Sequence, residues 1–199
     1  MEQTLTQYVY TAQGLKRDPA WGAKNVLHVG CGDDKLSGAV GLDRLKLPAV
    51  DVVHDLDKLP WPFADGSFDI IFAHSVVEHV GDLVAFFDEC WRILRPGGHI
   101  VMAVPYFRCV DAFTDPTHTH FFTGNSLDYF IEADNPLANY GYSKHKFLCR
   151  GFWYGWPARS GNPLVRVFKR WISRHRRFYD QRLSLLFPMR ILVWELEKR

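Results

Sequence analysis

The stretch Val26-Leu27-His28-Val29-Gly30-Cys31-Gly32 decides the fold. It is a short apolar run that ends in Gly-x-Gly, which is typical of a buried parallel strand running into a glycine turn. Glycines at such a turn let the backbone adopt unusual dihedral angles and approach a ligand closely. Further along, Asp43 closes a second apolar stretch, residues 39–42. An acidic residue there can bond ribose hydroxyls at the carboxyl edge of an α/β sheet. The two strand ends together predict an adenosine-containing ligand.

The rest of the chain supplies further strands and a helix. Apolar runs predict strands over residues 25–29, 40–43, 50–55, 68–73, 99–104, 144–154 and 190–197. Helical spacing of apolar residues predicts a helix from about residue 76 or 82 that ends before Pro96-Gly97-Gly98. The connections after the first two strands are shorter than a usual crossover helix requires. The alternation predicts an α/β domain with a largely parallel sheet.

These elements together resemble the class I S-adenosylmethionine-dependent methyltransferases, in their small form with a single catalytic domain. The resemblance covers about residues 25–106. Its motifs are the stretch 26–32, Asp43, Phe68-Asp69-Ile70-Ile71-Phe72, Val77-Glu78-His79-Val80 and Trp91-Arg92-Ile93-Leu94-Arg95-Pro96-Gly97-Gly98. It implies a Rossmann-like, mostly parallel sheet with a C-terminal antiparallel strand pair and helices on both faces. It also implies S-adenosylmethionine as the cofactor.

The resemblance also assigns cofactor-binding residues. They are Gly30, Cys31, Gly32, Asp43, Asp55, Leu56 and His74. The glycines would lie against the methionine part, Asp43 would hold the ribose, and His74 would sit beside the cofactor after the fourth strand. Asp55 and Leu56 would border the adenine. The chain departs from the family at His28, where an acidic residue is usual, and at Asp34, where a small residue is common.

A histidine-rich loop, residues 111–123, follows the fifth strand at the edge where ligands sit. Three interpretations compete for it. His118 or His120 could accept a proton during methyl transfer, together with Asp115. The same three side chains could ligate a metal, or the loop could be structural, its polar groups bonding its own backbone. We take His118, His120 and Asp115 as catalytic candidates facing the substrate, and we expect no metal.

Glu78 and His79 lie just beyond the fourth strand. Glu78 is close to a helix start, where a carboxylate complements the helix dipole. His79 is interpreted as structural.

Residues 163–187 mix cations with aromatic and aliphatic side chains. Such a segment can be an interfacial membrane helix, a patch for an anionic substrate, a binder of RNA phosphates, or a core-packed helix with a solvated basic face. We expect a small-molecule or lipid-linked substrate and peripheral membrane contact through this segment. We do not expect nucleic acid binding.

Composition sets the remaining bounds. The 199 residues, with a net charge of +2, predict a single domain made of a lead-in (1–24), a cofactor-binding core (25–106) and a substrate-side part (107–199). The four cysteines are widely spaced and form no Cys-x-x-Cys pair, which argues against a zinc knuckle or a disulfide framework. A polar N-terminus and the lack of a long apolar run predict a cytoplasmic protein. The sequence does not indicate an oligomeric state.

The predicted function is transfer of a methyl group from S-adenosylmethionine to an oxygen or nitrogen of an unidentified acceptor, small or lipid-linked and anionic. The alternative is a non-catalytic domain that binds S-adenosylmethionine or S-adenosylhomocysteine and acts through its basic, aromatic C-terminal part. A nicotinamide-dependent oxidoreductase is disfavoured, because Lys35 stands where Gly-x-Gly-x-x-Gly requires its third glycine.

Overall fold

The computed structural model describes residues 10–11, 14–15, 21–22, 24–132, 136–157 and 162–199. Its centre is a seven-stranded sheet. The strands are β1 (Val26–Val29), β2 (Val40–Asp43), β3 (Val52–Val53), β4 (Phe68–His74), β5 (Leu94–Pro105), β6 (Leu148–Tyr154) and β7 (Ile191–Glu197). Their order across the sheet is β3-β2-β1-β4-β5-β7-β6. A separate two-residue pair joins Tyr10–Thr11 to Gly14–Leu15 in antiparallel register.

The described helices are short apart from two. They are α1 (Leu83–Ile93), α2 (Asp111–Thr114), α3 (Pro163–Arg174) and α4 (Arg176–Phe178), with 3₁₀ turns at Val77–His79 and Pro136–Tyr140 and a π turn at Tyr179–Leu183. Helix α1 begins where Asp82 caps it, since its Oδ1 accepts hydrogen bonds from the backbone N–H groups of Val84 and Ala85 at 2.8 and 3.0 Å. Among the described residues, no helix has the length and apolar character needed to cross a membrane.

The strand directions confirm the predicted sheet. Strands β1 to β5 pair in parallel, with registers such as Ile71 opposite Ile100. Strand β7 then runs antiparallel to β5, with Trp194 opposite Met102, and antiparallel to β6. The sheet is therefore mostly parallel and closes with an antiparallel C-terminal pair.

The two faces of the sheet are covered differently. On the larger face, Phe87 and Ile93 of α1 and Ile172 of α3 are fully buried. On the smaller face, Trp21 and Leu36 pack with sheet residues, and the described helices add nothing to this cluster. The connections after β1 and β2 are too short for a crossover helix, so they fold as turns that cover only part of the sheet.

His28 lies on β1, where the family usually has an acidic residue. It is 1% exposed, and its Nδ1 accepts a hydrogen bond from the backbone N–H of Leu36 at 3.2 Å. Burial lowers the pKa of His28 to about 4. It is therefore a neutral core residue that holds the turn after β1 against the sheet.

The C-terminal segment is tied to the sheet through the buried carboxylate of Asp180. This carboxylate accepts hydrogen bonds from the hydroxyls of Tyr106 and Tyr154 at 2.7 and 2.6 Å, and from the backbone N–H of Gly124 at 2.9 Å. Tyr106 directly follows β5 and Tyr154 ends β6. Asp180 thus fixes the segment after α3 at the carboxyl edge of β5.

Candidate active site

A cavity of ≈ 320 Å³ opens at the carboxyl edge of the parallel strands. Gly30, Asp43 and Ser75 line it from the ends of β1, β2 and β4. Asp115 and Thr117 line it from the loop after β5. Ligands of open α/β sheets bind at this edge, so the cavity lies where the sequence places the site.

The loops after β1 and β4 meet at Gly30. Its φ is +62°, and a Cβ at this position would lie 2.3 Å from Cγ2 of Val76. Ser75 is also in the left-handed region, with φ +51°, although it is not a glycine. Such conformations in non-glycine residues cost energy and are concentrated at functional sites.

Gly32 leaves free space beside the turn. Its φ is +50°, and a Cβ there would meet no heavy atom within 4 Å. Its N–H donates a hydrogen bond to Oδ2 of Asp43 at 3.0 Å, while Oδ1 accepts from the backbone N–H of Leu45 at 2.9 Å. Each carboxylate oxygen has a second lone pair. Asp43 can therefore still accept hydrogen bonds from two ligand hydroxyls.

The charge of the cavity wall is mainly negative. Asp43, Asp55, Asp57 and Asp115 contribute carboxylates, against the guanidinium of Arg44. A wall of this charge favours a ligand that carries a positive charge.

Four of the seven predicted cofactor residues line the cavity, namely Gly30, Asp43, Asp55 and Leu56. Cys31, Gly32 and His74 are not among its lining residues. Cys31 is buried, and burial raises the pKa of its thiol to about 11, so it stays protonated. The ring of His74 stacks on Trp156 with 6.0 Å between centroids.

Of the three catalytic candidates, only Asp115 is among the residues that line the cavity. Asp115 lines the cavity, and hydrogen bonds from the hydroxyl and N–H of Thr117 lower the pKa of its carboxyl. It is therefore ionised at neutral pH and a weak base. His118 and His120 are not among the lining residues. The Nε2 of His118 lies 4.0 Å from Oε1 of Glu78, and the backbone N–H of His120 bonds to the Glu78 carbonyl.

Several lining residues were not predicted to bind the cofactor or to act in catalysis. They are Arg44, Asp57, Ser75, Val76, His79, Val80 and Thr117. Most of them adjoin a predicted residue in sequence, which is the signal that could have indicated them. The φ of Ser75 and the approach of Thr117 to His79, with 2.9 Å between Oγ1 and Nδ1, depend on the fold.

The chain is similar to known methyltransferases. The family model of the methyltransferase domain matches residues 36–102. A "Probable S-adenosylmethionine-dependent methyltransferase" of Mycolicibacterium smegmatis is 31% identical over 132 residues, which is 55% of this chain and 51% of that protein. Over residues 36–102 the chain is thus similar to the methyltransferase domain, and this relative is described as S-adenosylmethionine-dependent.

Two further comparisons agree with this family. A relative of the same printed description from Mycobacterium tuberculosis is 31% identical over 105 residues, covering 44% of this chain and 38% of that protein. The chain thus spans about half or less of the length of these curated relatives. The crystal structure of an S-adenosylmethionine-dependent methyltransferase from Mesorhizobium loti superposes with a TM-score of 0.54 and 16% identity, covering 89% of this chain and 92% of that one. This likeness supports the fold.

The cofactor of the family is S-adenosylmethionine, and the described residues fit it. Asp43 has free acceptor capacity for a ribose, and the space beside Gly32 lets a ligand reach the turn. The acidic wall suits the positive sulfonium. When bound, this cofactor supplies an activated methyl group.

Proposed function

We propose that this protein transfers a methyl group from S-adenosylmethionine to an oxygen or nitrogen of an acceptor that is small or lipid-linked and anionic. One observation carries the proposal: Asp43 and Asp115 line the same cavity. The first belongs to the strand ends that fit the cofactor, the second to the loop after β5. Methyl transfer depends mainly on holding donor and acceptor in line, and a cavity shared by both sides provides this.

Different residues would bind the cofactor and position the acceptor. Asp43 and the turn at Gly30 would hold the cofactor, and the acidic wall would stabilise its positive charge until the methyl group leaves. The loop with Asp115 and Thr117 would position the acceptor. A proton released by the acceptor could pass to Asp115 or to solvent, so this residue would contribute modestly as a base.

Binding and turnover test this function directly. We expect micromolar binding of S-adenosylmethionine and S-adenosylhomocysteine in calorimetry and none of NAD. We also expect transfer of a labelled methyl group to an acceptor from a panel of hydroxyl and amine compounds that includes anionic lipids. Absence of cofactor binding would contradict the proposal. Binding without turnover across the panel would favour a non-catalytic cofactor-binding domain.

The lipid-linked acceptor is supported by the surface of residues 163–187. On α3, Leu164, Val167 and Trp171 follow one another at helical spacing and are 76%, 67% and 41% exposed. Arg170 and Arg174 form an adjacent basic stripe. The segment holds seven Lys or Arg residues and one acidic residue, Asp180.

This arrangement of apolar and basic side chains is complementary to an anionic membrane surface. Asp180 also bonds to Tyr106 directly after β5, so the segment lies at the same edge of the sheet as the cavity. We therefore propose that residues 163–187 bind an anionic lipid surface.

The basic stripe gives a prediction for membrane binding. Replacing both Arg170 and Arg174 with glutamine should weaken binding to phosphatidylglycerol-containing vesicles roughly tenfold or more, because each cation near an anionic surface contributes about 1 kcal/mol. Vesicle co-sedimentation measures this. The matched control replaces Arg95 and Lys58, both exposed and outside the segment, and should bind like the wild type. Equal loss in both variants, or equal binding to phosphatidylcholine vesicles, would contradict the proposal.

A further inference from the structure

Three side chains with metal-binding chemistry meet beside the cavity. Glu78 and His79 come from the 3₁₀ turn after β4, and His118 comes from the loop after β5. One potential ligand atom from each lies within 4.8 Å of the others. This set differs from Asp115, His118 and His120, the three possible metal ligands that the sequence indicates.

Glu78 is the unusual member of this cluster. It is 1% exposed, and neither carboxylate oxygen has a hydrogen-bond partner among the described residues. Its nearest cationic candidate is His118, at 4.0 Å from Nε2 to Oε1, which is too long for a hydrogen bond. A buried carboxylate without a hydrogen-bond partner is costly, and a bound cation would offset that cost.

His118 is oriented as a metal ligand usually is. Its Nδ1 lies 2.8 Å from the backbone carbonyl oxygen of Ala112, so Nδ1–H donates to this oxygen. This hydrogen bond leaves the lone pair on Nε2, the atom that faces Glu78. Metal-ligating histidines commonly donate their other ring N–H to a carbonyl or a carboxylate.

His79 links the cluster to the cavity. Its ring lies 4.6 Å from that of His118, and its Nδ1 is 2.9 Å from Oγ1 of Thr117. Both His79 and Thr117 line the cavity. The His79 side of the cluster therefore borders the cavity.

We propose that Glu78, His79 and His118 bind one divalent transition-metal ion, best Zn²⁺, with a fourth coordination position open to the cavity. Two histidines and one carboxylate with an open position form a known catalytic zinc arrangement. Imidazole nitrogen favours zinc over magnesium or calcium. Ligand atoms about 2 Å from the ion stand closer together than 4.8 Å, so the side chains rotate inward as the ion binds.

The role of the ion rests on the proposed function. A metal at this position would bind an oxygen of the acceptor through its open position and lower the pKa of an acceptor hydroxyl. The oxygen, once deprotonated, would then form the bond to the methyl carbon as the carbon–sulfur bond breaks, with the proton passing to solvent. The ion would supply the activation that the weak base Asp115 does not.

Calorimetry of chelator-treated protein with ZnCl₂ tests the site without cofactor or acceptor. We expect one ion per chain with micromolar or tighter affinity. Glu78→Gln and His118→Gln should each weaken binding at least tenfold, whereas the control His145→Gln should bind like the wild type, since His145 stacks on Trp91 outside the cluster. Absence of one-to-one binding by the wild type, or unchanged affinity in Glu78→Gln, would overturn the proposal.

Thermal unfolding checks that the variants are folded. Glu78→Gln keeps the shape of the side chain and removes a buried charge, so without metal it should unfold at or above the wild-type temperature. Zn²⁺ at a concentration that just saturates the wild type should raise the unfolding temperature of the wild type clearly more than that of this variant. A comparable rise in both proteins would place the ion elsewhere.

The same preparation separates this proposal from the proposed function. Zinc binding without S-adenosylmethionine binding would contradict the proposed function but support the metal site. Cofactor binding and methyl transfer that persist after chelation, in a protein that binds no zinc, would refute the metal site alone.

Discussion

Replacing Asp43 with alanine should weaken S-adenosylmethionine binding by about two orders of magnitude or more. The carboxylate can accept two ribose hydroxyls, and a hydrogen bond to a charged group contributes about 1.5–3 kcal/mol. The substitution also removes the acceptor for the N–H groups of Gly32 and Leu45, so the turn that faces the ligand loses its anchor. Calorimetry of wild type and variant against the cofactor measures the loss.

Two further variants make this test specific. Asp43→Asn keeps an acceptor oxygen without the charge, so its affinity should fall between those of the wild type and the alanine variant. Asp65→Ala removes an exposed carboxylate paired with Arg92, away from the cavity, and should bind the cofactor normally. Wild-type affinity in Asp43→Ala would show that this strand end does not hold the ribose.

The strands were predictable because burial dictates their composition. Strand β2 has the predicted bounds, Val40–Asp43, and β1 differs from its prediction by one residue. The run over residues 50–55 yields only Val52–Val53, which pairs with β2 at one edge of the sheet. Edge pairing depends on neighbours and twist, which an apolar run does not specify.

Four of the seven residues predicted to bind the cofactor line one cavity, because parallel strands bring their carboxyl ends to one edge. The cluster of Glu78, His79 and His118 was not predicted. Glu78 and His118 lie far apart in the chain, and their contact follows from the path of the loop after β5. That Glu78 has no hydrogen-bond partner among the described residues is equally a property of the packing. Its position near a helix start suggested only a dipole contact.

For helix α3, the sequence pattern alone does not predict which side chains are buried. The alternation of apolar and basic residues over 163–187 fits several partners equally well. The structure adds that Ile172 faces the core while Val167 and Trp171 face outward. Helical periodicity alone does not say which of two apolar stripes is buried, since both Ile172 and Trp171 satisfy it.

Asp180→Ala should destabilise the fold by about 3 kcal/mol or more. The substitution leaves three buried donors without their acceptor, namely the hydroxyls of Tyr106 and Tyr154 and the N–H of Gly124. Each buried polar group that loses its partner costs about 1–3 kcal/mol. Urea unfolding measures the free energy of unfolding, provided that the slope with denaturant stays constant.

The cluster around Asp180 predicts how this cost is distributed. Tyr154→Phe removes one hydroxyl and keeps the ring, so Asp180 retains two donors and the cost should be only about 1 kcal/mol. In the double variant Asp180→Ala/Tyr154→Phe, the phenylalanine has no hydroxyl that needs an acceptor. The loss in the free energy of unfolding should therefore be smaller than the sum of the losses in the two single variants. Additive losses, or an Asp180→Ala protein as stable as the wild type, would mean that water replaces the carboxylate. The predicted non-additivity would instead establish Asp180 as the residue that binds the C-terminal segment to the end of β5.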